Sequence, residues 1–286
     1  MQPADTAVPV AEGVRLHVRS WGEESAATSP FLLVHGLSSN ARLWDEVAAP
    51  LAEAGHPVHA VDLRSHGESD SPPSGYDTAT AARDLAVLAG VLDLRAAVVV
   101  GQSWGGNVVS RLAAAHPEFV AAVALVDGGW IDLSTEFDSW EECASELRPP
   151  PVDGMRATDL RAFIRSAHKD WSPAAVEATL ANMRVSPDGT VTRRLPIPMH
   201  MQIVRSMWAD PPWADLAKIN VPTLLLPAIP KDAKGAARRR AQVGKAEAAL
   251  ARPTVREYVG ADHDLHAQHP RELAKDLLEL AKKVGT

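Results

Sequence analysis

The sequence predicts an α/β protein, a doubly wound and mostly parallel sheet interrupted by a helical insertion. Short apolar runs bounded by turn residues recur along the 286-residue chain, with amphipathic helical patterns between them. Several of these runs are apolar throughout, as strands covered on both faces are. The alternation stops between residues 129 and 218 and then resumes.

Taken in order, "VRLHVRSW" (14–21) alternates and reads as an antiparallel edge strand. "PFLLVHG", "PVHAVDL", "AAVVVG" and "VAAVALVDG" read as buried strands. Between them, "ARLWDEVAAPLAEAG" and "ATAARDLAVLAGVLDL" carry apolar residues at helical spacing. "VPTLLLPA" (221–228) and "TVREYVG" (254–260) resume the strand pattern, and "RELAKDLLELAKKV" closes the chain as a helix. This organises the chain as a core of residues 1–128 and 219–286 with a helical cap or lid of 129–218. The cap is punctuated by "RPPPVDG", "LPIPMH" and "DPPW", and it holds five of the eight tryptophans and five of the six methionines. An insertion at the strand C-terminal ends would roof the place where open α/β sheets bind ligands. Trp130, Trp208 and Trp213 are the candidate substrate contacts, although such residues also serve simply to glue an insertion to a core.

Composition narrows the partners. A hydrophobic content of 46% with 23% charged residues suits a soluble globular core. The net charge of −7 argues against nucleic acid and anionic membrane and leaves a small molecule as the expected partner. Cys143, the one cysteine, excludes an internal disulfide and suits a reducing compartment. No signal-peptide pattern opens the sequence and no apolar run reaches the ~18 residues of a membrane span, so a cytoplasmic protein is expected.

The chemistry is concentrated in "VVVGQSWGGNVV" (98–109). Gly101-Gln102-Ser103-Trp104-Gly105 fits G-x-S-x-G, a pattern expected by chance about 0.1 times in such a chain. Its position between a buried strand and a helix adds specificity. A sharp strand-to-helix turn would hold the serine in strained backbone at a helix N-terminus, where N–H groups favour developing negative charge. Three histidines, His263, His266 and His269, stand at spacing three. No further Cys or acidic cluster completes a ligand set near them in the sequence, so neither metal nor cofactor is expected.

At these residues the chain resembles the α/β-hydrolase fold family. "LLVHGLSSN", "VDLRSHGESD", "VGQSWGG", "VPTLLLPAIPKD" and "ADHDLHAQHP" stand in that family's order, with Ser65 where glycine is usual. The resemblance implies Ser103 as nucleophile, His263 as its base (His266 being the fallback), and the backbone N–H groups of Leu37 and Trp104 as the oxyanion hole. It implies Asp232 as the triad acid, with Asp127 the alternative; the loop before Asp232 lacks the usual glycine and its spacing is one residue longer than the family's commonest form. His35 and His66 match structural histidines and Asp62 a structural aspartate, while Arg238, Arg239 and Arg240 read as a solvated helix face. A serine nucleophile points to an acyl-enzyme and hence to an ester, thioester or lactone of a small to medium apolar substrate. Carbon–carbon bond hydrolysis, a biosynthetic cyclase or lyase, and a ligand receptor with little turnover remain the other readings.

Overall fold

The computed structural model describes residues 2–23 and 28–284, so both ends of the expected core lie outside the described residues. The N-terminal strands are β1 (Ala4–Ala11) and β2 (Val14–Trp21), followed by β3 (Phe31–Val34), β4 (Val58–Val61), β5 (Ala97–Gln102) and β6 (Val120–Val126). A hairpin, β7 (Met183–Val185) and β8 (Val191–Arg193), sits inside the insertion. After it come β9 (Thr223–Leu226), β10 (Ala228–Ile229), β11 (Pro253–Val255) and β12 (Tyr258–Val259). Eight of these form the main sheet in the order β1-β2-β4-β3-β5-β6-β9-β11. β2 runs antiparallel to both β1 and β4, and the remaining pairs are parallel.

The uninterrupted apolar runs are explained by two separate cores. Along β5, Val99 packs into one core and Val98 and Val100 into the other, as alternate side chains of a strand must. Helices α1 (Asp45–Glu53) and α11 (Pro270–Ala281) cover one face of the sheet. Helices α2 (Thr78–Val91) and α3 (Trp104–Ala115) cover the other.

Three local features differ from the sequence reading. Residues 4–11 add an edge strand, β1, whose weak pattern reflects a mostly exposed surface. The runs at 221–228 and 254–260 are each broken, giving β9 and β10 against β11 and β12. Pro227 stands at the first break, where a ladder donor is missing. Finally, the insertion is not helical alone, because β7 and β8 pair antiparallel within it.

The insertion joins β6 to β9 and carries α4 (Trp140–Glu146), α5 (Ala157–Ala167), α6 (Pro173–Leu180), α7 (Ile197–Ala209) and α8 (Trp213–Leu216). Ile203, Val204 and Met207 of α7 join the main core. Leu160, Ile164, Trp171, Val176 and Val191 form a third core that meets the rest at Leu43 and Ala267. The remaining helices, α9 (Ala233–Ala249) and α10 (Leu265–Gln268), flank the last strands.

Candidate active site

Ser103 sits between β5 and α3 with φ +53° and ψ −125°, a conformation that non-glycine residues rarely adopt. Two anchors hold it there. Its N–H donates to the Val126 carbonyl at 3.0 Å, and its carbonyl accepts from the Gly106 N–H at 2.9 Å. The helix must also pass close to β3: a Cβ on Gly105 would lie 2.4 Å from the His35 carbonyl oxygen and 2.6 Å from that of Val34. Glycine is required by that approach. The Trp104 N–H is the first of α3 and belongs to the unsatisfied helix-terminal donors. Leu37 follows Gly36 in the loop after β3 and, with Ser103, lines the same cavity.

His263 and Asp127 meet across 136 residues of sequence. His263 Nδ1 lies 2.5 Å from Asp127 Oδ2. Asp127 is 1% exposed, and its other oxygen accepts from the Ala228 N–H at 3.0 Å and from Arg239 Nη1 at 2.5 Å. The histidine ring is half exposed and borders the cavity that contains Ser103. Burial pulls its pKa down, yet the hydrogen bond and charge of Asp127 and the charge of Asp264 prevail, so the pKa is raised; Arg239 acts against them.

The expectation that Asp232 faces the histidine is not met. Asp232 is exposed at the N-terminus of α9, where Oδ1 accepts from the Gly235 N–H at 2.7 Å. β10 explains the displacement: it carries the chain onward beyond β9 before Asp232 is reached, whereas Asp127 follows β6 directly beside the Ser103 turn. Arg239 also departs from expectation, being bound to Asp127 rather than solvated with its neighbours. Of the three candidate tryptophans, Trp130 lines the cavity. Trp208 packs edge-on against Trp140, and Trp213 donates to Asp132 at 2.6 Å beneath Lys245. Neither is among the residues lining this cavity.

The histidines fall into separate roles. His35 Nε2 accepts from the Leu63 N–H, and His66 Nε2 accepts from the Ser38 N–H. Each donates from Nδ1 to a backbone carbonyl, so both are neutral struts of the loops beside Ser103. Burial pushes the His66 pKa down to about 3. His266 is fully buried against Trp44, away from the cavity wall. Among the described residues no cluster of three or more His, Cys, Asp or Glu could hold a metal ion, and no helix is long and apolar enough to cross a membrane.

The cavity above Ser103 has a volume of about 310 Å³. Its apolar wall is built by Leu37, Trp130, Ile131, Leu133, Val204 and Met207. Polar groups converge from Ser38, His200, Gln242 and Arg239. A pocket of this size, mostly apolar with a few placed polar groups, suits a small organic molecule.

The fold and this serine turn define a class of protein, and comparison with known proteins agrees. Residues 29–185 match the family described as alpha/beta hydrolase fold. The chain belongs to that family. It is 38% identical over 191 residues to lipase LipV of Mycobacterium tuberculosis, covering 65% of this chain and 68% of that protein. It is 38% identical over 120 residues to a non-heme chloroperoxidase of Streptomyces lividans, and that match spans 42% of this chain and only 43% of the relative. Among solved structures, that of E-2-(acetamidomethylene)succinate hydrolase superposes with a TM-score of 0.79 at 20% identity, covering 98% of this chain and 99% of the other.

Proposed function

We propose that the protein is a serine hydrolase that cleaves an ester, thioester or lactone of a small to medium, largely apolar molecule through an acyl-enzyme on Ser103. The observation that carries this reading is the Asp127–His263 pair bordering the same cavity as a strained serine at a helix N-terminus. His263 holds its Nδ1 proton toward Asp127, which leaves Nε2 as the base. Ser103 Oγ attacks the carbonyl carbon while His263 Nε2 takes its proton. The Leu37 and Trp104 N–H groups stabilise the negative charge on the carbonyl oxygen. His263 then returns the proton to the leaving alcohol or thiol as its bond to the acyl carbon breaks. Water repeats the sequence on the acyl-enzyme, releasing a carboxylic acid and regenerating Ser103.

The name of the LipV relative supports ester chemistry, and the apolar walls support an apolar substrate. The insertion, which supplies Trp130, His200, Val204 and Met207 to the cavity, acts in this reading as the lid that selects the substrate. A panel of p-nitrophenyl esters, acyl thioesters and lactones tests it, alongside fluorophosphonate labelling. Turnover of at least one group, with labelling at Ser103, is the expected result. Labelling without turnover on any of them would shift the assignment to a receptor or to another reaction on the same site.

A further inference from the structure

Beside the catalytic cavity lies a second one of about 210 Å³, at the seam between the insertion's own core and the loops after β3 and β4. Leu160, Phe163, Ile164 and Leu195 give it an apolar wall. Phe163 of that wall is 63% exposed.

Ser38 is a wall of both cavities. Its hydroxyl lies 3.0 Å from His200 Nδ1, and His200 Nε2 lies 3.1 Å from the Leu147 carbonyl. A carbonyl can only accept, so Nε2 carries the proton and Nδ1 accepts from Ser38. One neutral ring thereby ties the loop after β3 to α7 and to the end of α4.

We propose that the two cavities are subsites of one substrate site, divided by the Ser38–His200 hydrogen bond, and that the second receives the far end of an apolar acyl chain. The chain runs past Ser38 when the His200 ring swings aside. Its apolar length meets Leu160, Ile164 and Leu195. This rests on the acyl-enzyme reading above.

The test measures kcat/KM for p-nitrophenyl acetate, octanoate and laurate. His200→Ala opens the division and should raise the laurate-to-acetate ratio by at least about tenfold, the worth of burying even one or two methylenes. Adding Thr179→Trp, which fills the second cavity from α6, should cancel that gain. Should His200→Ala fail to fold, Ser38→Gly opens the same division from the other wall. Its backbone suits glycine, since Ser38 has φ +60°. An unchanged ratio in the folded variant, or a gain that survives Thr179→Trp, would overturn the proposal. If no ester is hydrolysed, the same variants are read by the labelling rate of Ser103 with ethyl and dodecyl fluorophosphonates. A chain-length effect there would keep the subsite while the hydrolase reading fails, and its absence would sink the subsite.

Discussion

Asp127 divides its two oxygens between a histidine and an arginine. Oδ2 meets His263, while Oδ1 is held by Arg239 and by the Ala228 N–H. Asparagine at 127 keeps the shape and removes the charge that stabilises an imidazolium, a change that costs a serine triad on the order of 10⁴ in kcat. Asp232→Asn should leave kcat within about twofold, because asparagine caps a helix as well as aspartate does. Steady-state kinetics on both variants, beside thermal melts, checks the ranking, and the reverse order would return the acid to Asp232. The pH profile gives a second check. His263 must be neutral to act, so kcat/KM rises with pH through its raised pKa. The acid limb is therefore expected above pH ~6.5. Arg239 opposes the imidazolium and Asp264 favours it. Hence Arg239→Leu should move the limb to higher pH and Asp264→Asn to lower pH. The sequence already carried a sign that Asp232 does not meet the histidine, in the missing glycine and extra residue before it. It could not show which strand end approaches His263, because that depends on where β10 takes the chain.

At the scale of elements, the turn into α3 was legible because its demands are local. Gly101, Ser103 and Gly105 satisfy a short stretch of backbone that any reader of the chain can see. Gly105→Ala would force α3 away from the His35 and Val34 carbonyls, with an expected loss of about 1–3 kcal/mol in stability by denaturant melts. Activity should fall with it, since the Trp104 N–H moves too. The facing of α9 was not legible. Consecutive helical residues point about 100° apart, so Arg238, Arg239 and Arg240 reach three different partners: Glu136, Asp127 and Glu257. Only the tertiary position of Asp127 selects the middle one. The same limit applies to the tryptophans, whose concentration marked the insertion but not the cavity wall. Trp130→Ala should change KM and chain-length preference. Trp213→Ala should lower stability by up to about 3 kcal/mol, reflecting lost packing and the Asp132 bond, with the substrate profile unchanged. A profile shift in Trp213→Ala equal to that of Trp130→Ala would place both in the substrate path.

For the whole molecule, the order of the strands brings together residues that the chain keeps far apart. β3, β5 and β6 are parallel neighbours, so the segments that follow their C-terminal ends place Leu37, Ser103 and Asp127 on one rim of the sheet. The loop after β12 delivers His263 to the same rim from near the end of the chain. That is why strand–helix alternation and motif order foresaw the fold and the turn that carries Ser103, while the contacts of Asp127 with His263 and Arg239 required the packed structure. The central claim is covalent: an acyl group passes through Ser103. The direct measurement is acid quenching within the first turnover of a p-nitrophenyl ester that the protein hydrolyses, followed by peptide mass spectrometry. The expected result is the acyl mass on the peptide containing Ser103, absent from Ser103→Ala, which should retain its fold and lose nearly all activity. An unmodified Ser103 peptide together with full activity in Ser103→Ala would contradict it.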